Sequence, residues 1–204
     1  MTMSHDYRAR QERQVKDYQA WAKSQGTVEL PTRLSTMVQP RQVFRMNWLK
    51  EHRLGNALEV GSNIGLVLAW TGCDGTGLDI SPACVDLARI LVPECTFIQG
   101  NALALPFEDR SFMTVMLPEI LEHLDWTSEV PRALQEAVRV ARRRVLITIP
   151  DGREDNADAC CFKHRWLCDG LHLVAILSIL RGYGGRPYPE TAEGFALINC
   201  ILDG

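Results

Sequence analysis

Residues 57–70 read Ala-Leu-Glu-Val-Gly-Ser-Asn-Ile-Gly-Leu-Val-Leu-Ala-Trp, and this stretch decides the fold of the chain. A short apolar run at 57–60 passes through the turn Gly61-Ser-Asn63-Ile-Gly65 into residues with the apolar spacing of a helix. Glycines at a strand-to-helix turn let the backbone approach a ligand closely, and the free N–H groups of the helix point at that ligand. The turn therefore predicts a ligand site. The alternative is a tight turn whose glycines only supply positive φ.

The chain around this turn alternates short apolar runs with helical patterns, which is typical of βα units and a parallel sheet. An amphipathic helical cap is predicted over residues 1–55 and a core over 56–204. The last apolar run has no helix after it, so we expect it to join the sheet antiparallel, beside the fifth or sixth strand. Strands are predicted at 57–60, 75–80, 95–98, 112–117, 144–149 and 194–202, and helices at about 42–52 and at 129–141. A further helix is predicted from the apolar stripe of Leu173, Ile176, Leu177 and Leu180, ended by Gly182.

Composition excludes several classes of protein. The 204 residues, 46% of them hydrophobic and 23% charged, suit one globular domain. A net charge of -3 gives no overall basic field for binding nucleic acid, which makes such a partner unlikely on bulk charge alone. No apolar run is long enough for a membrane span and the first residues are polar, so a soluble cytoplasmic protein is expected. The seven cysteines include no C-x-x-C pair, which argues against a disulfide framework or a zinc ribbon and favours buried thiols.

A carboxylate follows the second predicted strand. Asp79 lies 18 residues beyond Gly61, in Gly77-Leu-Asp79-Ile-Ser81. A carboxylate at this position can accept hydrogen bonds from both hydroxyls of a ribose. Dinucleotides also need the G-x-G-x-x-G turn for their pyrophosphate, and this sequence lacks it. An adenosine ligand without a pyrophosphate therefore fits better.

Four stretches in order give the sequence a family resemblance: 59–65, 77–81, Gly100-Asn-Ala-Leu-x-Leu-Pro-Phe107 and Glu119-Ile-Leu-Glu-His123. Together they resemble the class I S-adenosylmethionine-dependent methyltransferases, in the ubiquinone-biosynthesis-like branch. The resemblance implies an α/β, single-domain Rossmann-like fold whose seven-stranded sheet has one antiparallel strand. It also implies that the turn at Gly61 holds the methionine part of the cofactor, Asp79 the ribose, and Asn101 with Ala102 the adenine. The implied cofactor-binding set is Glu59, Gly61, Asn63, Gly65, Asp79, Ile80, Asn101, Ala102 and Leu117.

Two residues depart from the pattern of that family. Asn63 replaces the second glycine of the turn, and asparagine is the residue other than glycine best suited to a left-handed backbone. Asn101 replaces an aspartate, and its carbonyl oxygen can still accept a hydrogen bond from the adenine amino group. We expect cofactor binding to survive both changes.

The fourth stretch raises a metal hypothesis. If residues 119–124 form a helical turn, Glu119 lies beside Glu122 and His123. His164 follows the fifth strand and should return over the same crevice, completing a set suited to Mg²⁺ or Mn²⁺. The set is similar to that of small-RNA 2'-O-methyltransferases. The alternatives are an orienting ion pair at Glu122 and His123, and a His164 that only contacts substrate.

The expected reaction is methyl transfer to a hydroxyl oxygen of a small polar substrate, a sugar or glycoside in the first place. His123 or His164 would take the proton, with Glu122 beside them. An RNA 3'-end 2'-O-methyltransferase and a non-catalytic cofactor-binding domain stay open as alternatives, and a homodimer is the open alternative for assembly. The cap is expected to line the site with both apolar and polar side chains: Trp21, Met37, Phe44, Trp48, Arg33, Gln39 and Arg41.

Overall fold

A single seven-stranded sheet organises the chain in the computed structural model, which describes Lys16 and residues 40–72, 74–151 and 168–203. The order of the strands across the sheet is β3-β2-β1-β4-β5-β7-β6. The predicted α/β fold with a seven-stranded sheet is confirmed. The strands are β1 (Ala57–Val60), β2 (Gly75–Asp79), β3 (Thr96–Gln99), β4 (Phe112–Pro118), β5 (Ala141–Pro150), β6 (Gly185–Ala192) and β7 (Phe195–Leu202).

Strand direction and order place the ligand crevice. β1 to β5 pair in parallel, whereas β7 runs antiparallel to both of its neighbours, β5 and β6. The prediction that the last strand is the antiparallel one is therefore confirmed. From β1 the chain moves outward to β2 and β3 and then crosses back to β4 on the other side of β1. Ligands of open α/β sheets bind at such a switch point, beyond the carboxyl ends of the strands.

Helices cover both faces of the sheet. They are α1 (Pro40–His52), α2 (Leu66–Thr71), α3 (Pro82–Leu91), α4 (Val130–Val140) and α5 (Gly170–Gly182), with a 3-10 turn at Leu121–His123. One buried cluster joins α4 and α5 to strand residues such as Leu58 and Val115, and the other joins α1, α2 and α3 to Ala57 and Met116. Successive strand residues thus serve opposite layers, as the alternation of side chains along a strand requires.

The cap differs in part from its prediction. Helix α1 begins at Pro40 rather than residue 42, and Met46 and Leu49 are buried in the core. Trp48 is also a core residue, only 6% exposed, with Phe44 packed against the same cluster and the Trp48 indole N–H donating to Glu190. The prediction that Trp48 lines the ligand site is therefore wrong. The roles of Trp21, Arg33, Met37 and Gln39, and of the Arg41 side chain, lie outside the described residues.

Strand β6 was not foreseen from the sequence. It includes Pro187 and Pro189, which cannot donate a backbone hydrogen bond, and in the described part of the chain it pairs only with β7. Proline is tolerated on an edge strand because one side of that strand needs no partner. The strand that the sequence did not predict is therefore the one whose prolines argue against a β-strand.

Among the residues that the structure describes, the cysteines follow the expectation with one exception. Cys84, Cys168 and Cys200 are free and buried, so they act as small apolar residues. Cys95 is disulfide-bonded, against the expectation of buried thiols. None of the helices in the described part of the chain has the length and apolar character needed to cross a membrane.

Candidate functional site

The turn between β1 and α2 has a left-handed backbone at three positions. The φ angles are 77° at Gly61, 48° at Asn63 and 82° at Gly65. The left-handed conformation predicted for Asn63 is confirmed. Since Gly65 is also the N-cap of α2, the N–H groups at the start of that helix open onto the turn.

Space as well as backbone angle requires glycine here. A Cβ atom on Gly61 would lie 2.8 Å from Cδ1 of Ile120, and one on Gly65 would lie 2.4 Å from Cζ of Phe97. Ile120 follows β4 and Phe97 lies on β3, so the turn is pressed between neighbouring parts of the sheet. Contacts within the protein therefore already require glycine at both positions, and the approach of the turn to a ligand stays a prediction.

Replacing Gly65 by alanine should destabilise the protein by about 1–3 kcal/mol, because the new Cβ meets a ring at a left-handed φ. Urea unfolding measures the loss. Gly182→Ala is the matched control, since nothing lies within 4 Å of its Cβ position and it ends a helix. Equal stability of both variants would contradict the role given to Gly65.

Asp79 ties this turn to the end of β2. Its Oδ2 accepts from the Asn63 backbone N–H at 2.8 Å, and its Oδ1 accepts from the Ser81 N–H at 2.9 Å. Burial raises the pKa of this carboxyl, and the backbone hydrogen bonds oppose that rise. Each carboxylate oxygen has two acceptor sites, so the hydrogen bonds to the backbone leave capacity for two ribose hydroxyls.

Glu59 has a different task from Asp79. It is buried in β1, and its Oε2 accepts from the Leu68 N–H in the first turn of α2 at 2.9 Å. Burial raises the pKa of Glu59 to about 8, and the charge of Arg45 acts against the rise. The resemblance implied a cofactor contact for Glu59, whereas the contact in the structure is to the backbone of α2.

The residues expected at the adenine form a compact loop after β3. The Asn101 side-chain oxygen accepts from the Leu103 N–H at 2.9 Å, and the Asn101 carbonyl accepts from the Ala104 N–H at 3.0 Å. One acceptor site of the Asn101 amide thus remains for an adenine amino group. Ala102 is buried and Ile80 half-buried, whereas Leu117 is only 1% exposed and belongs to the core.

Helix α4 clamps that loop, which sequence reasoning missed. Arg139 donates to the carbonyls of Phe107 and Leu105 at 2.8 and 3.0 Å, and Glu136 accepts from the Leu105 N–H at 2.8 Å. Arg132 donates to the Leu103 carbonyl at 2.7 Å. Their spacing along α4 is that of a solvent-exposed helix face, which is why the sequence did not indicate these contacts. The i, i+3 pairing of Glu136 with Arg139 was the signal that could have found the clamp.

The helical turn predicted over residues 119–124 is wrong for Glu119, which is not part of it. Glu119 has φ 51°, and its N–H donates to the Thr148 carbonyl at 2.9 Å, which continues the pairing of β4 with β5. The 3-10 turn begins only at Leu121. The Glu119 carboxylate instead pairs with Arg45 of α1, with Nη1 to Oε2 at 2.8 Å.

This geometry does not fit the predicted metal site. In the described parts of the chain, no three His, Cys, Asp or Glu side chains form a group that could hold a metal ion. Glu119 is engaged by a guanidinium rather than turned toward Glu122 and His123, and His164 lies outside the described residues. The described residues therefore do not assemble the predicted metal set of Glu119, Glu122, His123 and His164.

Carboxylates converge beyond β4 and β5. Burial raises the pKa of the Cys168 thiol to about 11, and the charges of Asp169, Glu122 and Asp151 add to the rise, so all three lie near that thiol. Glu122 is 1% exposed. The sheet edge beyond β4 and β5 is therefore polar and acidic. It includes the end of β4, the strand that precedes His123.

Sequence reasoning also missed the pairing of Asp169 with His172 at the start of α5. Asp169 caps this helix by accepting from the His172 N–H at 2.9 Å, and the same oxygen contacts His172 Nδ1 at 2.7 Å. The ring of Trp126 meets the His172 ring edge to face, with the centroids 4.4 Å apart. The spacing Asp-x-x-His at a helix start is the signal for such a cap.

The residues of the turn fit an adenosyl cofactor with an amino-acid tail. The Ser62 hydroxyl and the Asn63 side-chain oxygen are buried, and no hydrogen-bond partner for either lies among the described residues. Buried polar atoms are normally satisfied, so groups in this state beside a glycine turn suit a ligand that completes their hydrogen bonds. Asp79, which the sequence predicts to bind the ribose, accepts from the Asn63 N–H at the same turn.

Both the sequence and the fold are similar to those of known methyltransferases. The profile of a methyltransferase domain matches residues 58–149. No curated protein that was compared matches the sequence. Among solved structures, the chain is similar to a SAM-dependent methyltransferase from Aquifex aeolicus, with a TM-score of 0.61, 16% identity, and coverage of 85% of this chain and 98% of that chain.

Two further structures have the same fold and differ in their described chemistry. One is from Thermotoga maritima, described as a "possible histamine N-methyltransferase", with a TM-score of 0.64, 18% identity and coverage of 96% and 99% of the two chains. The other is an O-methyltransferase family protein from Burkholderia thailandensis, with a TM-score of 0.64, 17% identity and coverage of 100% and 74%. Residues 58–149 therefore match the profile of a methyltransferase domain, and the chain shares the fold of these solved methyltransferase structures.

Proposed function

We propose that this chain transfers the methyl group of S-adenosylmethionine to a hydroxyl oxygen of a small polar compound, with a sugar or glycoside as the first candidate. The choice of acceptor is supported by a set of acidic side chains: Glu122 follows β4, Asp151 follows β5 and Asp169 caps α5, and the charges of all three act on Cys168. Carboxylates in such a place accept hydrogen bonds from several hydroxyls at once. A quinone-like acceptor would instead need an apolar pocket.

The proposed chemistry divides between cofactor and protein. The cofactor supplies an activated methyl group on its sulfonium. The protein holds the acceptor in line with that methyl, keeps water out and takes the proton of the hydroxyl. His123 is our candidate for the proton acceptor because it ends the 3-10 turn directly after β4. Glu122 precedes it, and His164 is the second candidate.

Metal assistance is not part of this proposal. The four residues proposed from the sequence are not brought together by the described structure, because Glu119 pairs with Arg45. The O-methylation step is therefore assigned to side chains alone.

The acidic edge also supports a second acceptor class. Glu122 and Asp151 would attract a cationic amine, which makes N-methylation the alternative that charge favours. The RNA-end hypothesis needs a basic groove for phosphates, and the charges named at this edge are negative. We therefore rank an amine above RNA. Homodimer formation remains a separate proposal.

A transfer assay tests the acceptor class. The purified chain is given S-adenosylmethionine with a labelled methyl group, together with matched panels of sugars and glycosides, and of primary and secondary amines. We expect label on a hydroxyl compound, at an oxygen located by mass spectrometry and NMR. Label only on amines would reject the oxygen acceptor and support the second candidate. The absence of transfer to either panel, with cofactor bound, would favour the non-catalytic alternative.

Replacing His123 by alanine tests the proton acceptor. We expect kcat to fall about 10²- to 10⁴-fold, the usual contribution of a positioned acid or base, with affinity for S-adenosylhomocysteine unchanged. His52→Ala is the matched control, because that ring contacts the Trp48 carbonyl within α1 at 2.9 Å. A wild-type kcat for His123→Ala would remove His123 from the chemistry.

A further inference from the structure

One arginine of α4 has all of its hydrogen-bond donors engaged, and it holds the loop after β3. Arg139 donates from Nη1 and Nη2 to the carbonyls of Phe107 and Leu105 at 2.8 and 3.0 Å. Its Nε and Nη2 also donate to the two carboxylate oxygens of Glu136 at 2.9 and 2.8 Å. Its Nη1 donates to Asp109 as well, at 2.8 Å. The five N–H donors of the guanidinium thus each have an acceptor, which fixes its plane and the loop with it.

Glu136 adds a contact of its own to the same loop. Its Oε2 accepts from the Leu105 N–H at 2.8 Å, so the N–H and the carbonyl of Leu105 are both held from α4. The hydrogen bond from Arg139 lowers the pKa of Glu136, so the carboxylate is charged at neutral pH. Leu105 is also buried in the core, which makes it a fixed point from which the loop extends back toward β3.

The hold on the loop extends to Asn101, the residue expected at the adenine. Arg132 of α4 donates from Nε to the Leu103 carbonyl at 2.7 Å, and the Leu103 N–H donates to the Asn101 side-chain oxygen at 2.9 Å. The backbone carbonyl of Asn101 also accepts from the Ala104 N–H at 3.0 Å. The placement of the Asn101 amide therefore depends on Leu103, and the placement of Leu103 depends on α4.

These contacts also fix the orientation of the Asn101 amide. An amide has an acceptor oxygen at one end and an N–H₂ donor at the other, and a flip of the group exchanges them. The Leu103 N–H can only donate, so it fixes the Asn101 oxygen and the direction of the second acceptor site on that oxygen. A loop released from α4 would lose this constraint, and its amide could then offer either a donor or an acceptor to a bound base.

Recognition of a nucleobase depends on this orientation. Adenine has an amino group at C6, which donates, whereas a 6-oxo purine has a carbonyl there, which accepts. A rigidly placed acceptor suits adenine, but it faces a second acceptor in the 6-oxo purine, and the unmade hydrogen bond costs affinity. We propose that Arg139, Glu136 and Arg132 are positioning residues that make the loop after β3 selective for adenine over a 6-oxo purine.

This inference rests on the proposed cofactor, and two nucleosides separate it from that proposal. S-Adenosylhomocysteine and S-inosylhomocysteine share the ribose, the sulfur and the amino-acid tail, and they differ only in the base, at C6 and N1. Calorimetry with both ligands gives the preference for adenine, which is the ratio of the two affinities. We expect the wild-type chain to prefer S-adenosylhomocysteine by about 10- to 100-fold, the effect of one or two hydrogen bonds left unmade.

The decisive variant is Arg139→Gln. We expect its preference for S-adenosylhomocysteine to fall by about 5-fold or more, because the loop loses both of its carbonyl contacts to the guanidinium. Arg53→Gln is the matched control. Arg53 also donates to backbone carbonyls, those of Thr71 and Gly55 at 2.6 and 3.1 Å, but near the amino ends of β1 and β2. Its preference should equal that of the wild type.

Arg132→Gln keeps the test decisive if Arg139→Gln does not fold. Arg132 is exposed, and its replacement removes the contact to the Leu103 carbonyl while Arg139 still holds the rest of the loop. We expect the preference for adenine to fall about 2- to 5-fold in this variant.

Four results would overturn the assignment. A wild-type chain without a preference for adenine has no selectivity for α4 to maintain. Equal losses of affinity for both nucleosides in Arg139→Gln would mean that this arginine only supports the fold, and unchanged affinities would mean that the loop keeps its shape without it. An unchanged preference in Arg132→Gln, after failure of Arg139→Gln to fold, would also reject the proposal. Failure of the cofactor proposal is distinct, because the wild-type chain would then bind neither nucleoside.

Discussion

Replacing Asp79 by alanine is expected to lower the affinity for S-adenosylhomocysteine at least about 100-fold, which is the result of losing two charge-assisted hydrogen bonds to the ribose. The same change leaves the Asn63 and Ser81 N–H groups without the acceptors that they have at 2.8 and 2.9 Å. The turn therefore loses its anchor together with its sugar contact. Calorimetry with S-adenosylhomocysteine measures the affinity.

Two variants separate the binding loss from a general loss of stability. Asp86→Ala is the matched control, since Asp86 is exposed on α3 and pairs only with Arg89 at 3.2 Å. It should keep wild-type affinity. Asp79→Asn keeps the size of the side chain but brings an N–H₂ group against a backbone N–H, so it too should bind weakly. Wild-type affinity in both Asp79 variants would reject the ribose assignment.

The parts of the site that were predicted from the sequence are local in the chain. The turn at Gly61 and Gly65, the left-handed Asn63 and the position of Asp79 after β2 follow from residue types at short spacing. Such features depend on the backbone of a single strand-to-helix unit. The sheet could be predicted for the same reason, because the sequence of each βα unit has its own apolar pattern.

The parts that were not predicted depend on distant contacts. Arg45 meets Glu119 across 74 positions of sequence, and nothing in α1 marks one arginine as buried. The backbone of Glu119 was expected to be helical because its neighbours suit a helical turn, but the pairing of β4 with β5 extends to it and fixes another conformation. In β6 the sheet overrides Pro187 and Pro189, since an edge strand needs only one row of hydrogen bonds.

Glu59 should make the protein less stable as the pH rises, which is the reverse of the usual behaviour of a carboxylate. Burial raises its pKa to about 8 in the folded chain, from 4.5 when exposed. Between these values the folded state keeps a proton that the unfolded state has released. Stability therefore falls as pH rises from about 4.5 to 8, by about 5 kcal/mol in total, and changes no further well above the folded pKa.

Replacing Glu59 by glutamine isolates this contribution. The amide oxygen can still accept from the Leu68 N–H at the start of α2, but the side chain carries no charge at any pH. Asp79 has a raised pKa of its own, so some dependence on pH remains in the variant and serves as its background.

Urea unfolding at pH 5, 6.5 and 8 should give nearly equal stabilities for variant and wild type at pH 5, and a more stable variant at pH 8. Parallel curves for the two proteins would mean that Glu59 is ionised throughout, and that Arg45 and the Leu68 N–H outweigh its burial. The direction of the difference at pH 8 therefore decides whether desolvation or hydrogen bonding controls the carboxylate beneath the glycine turn.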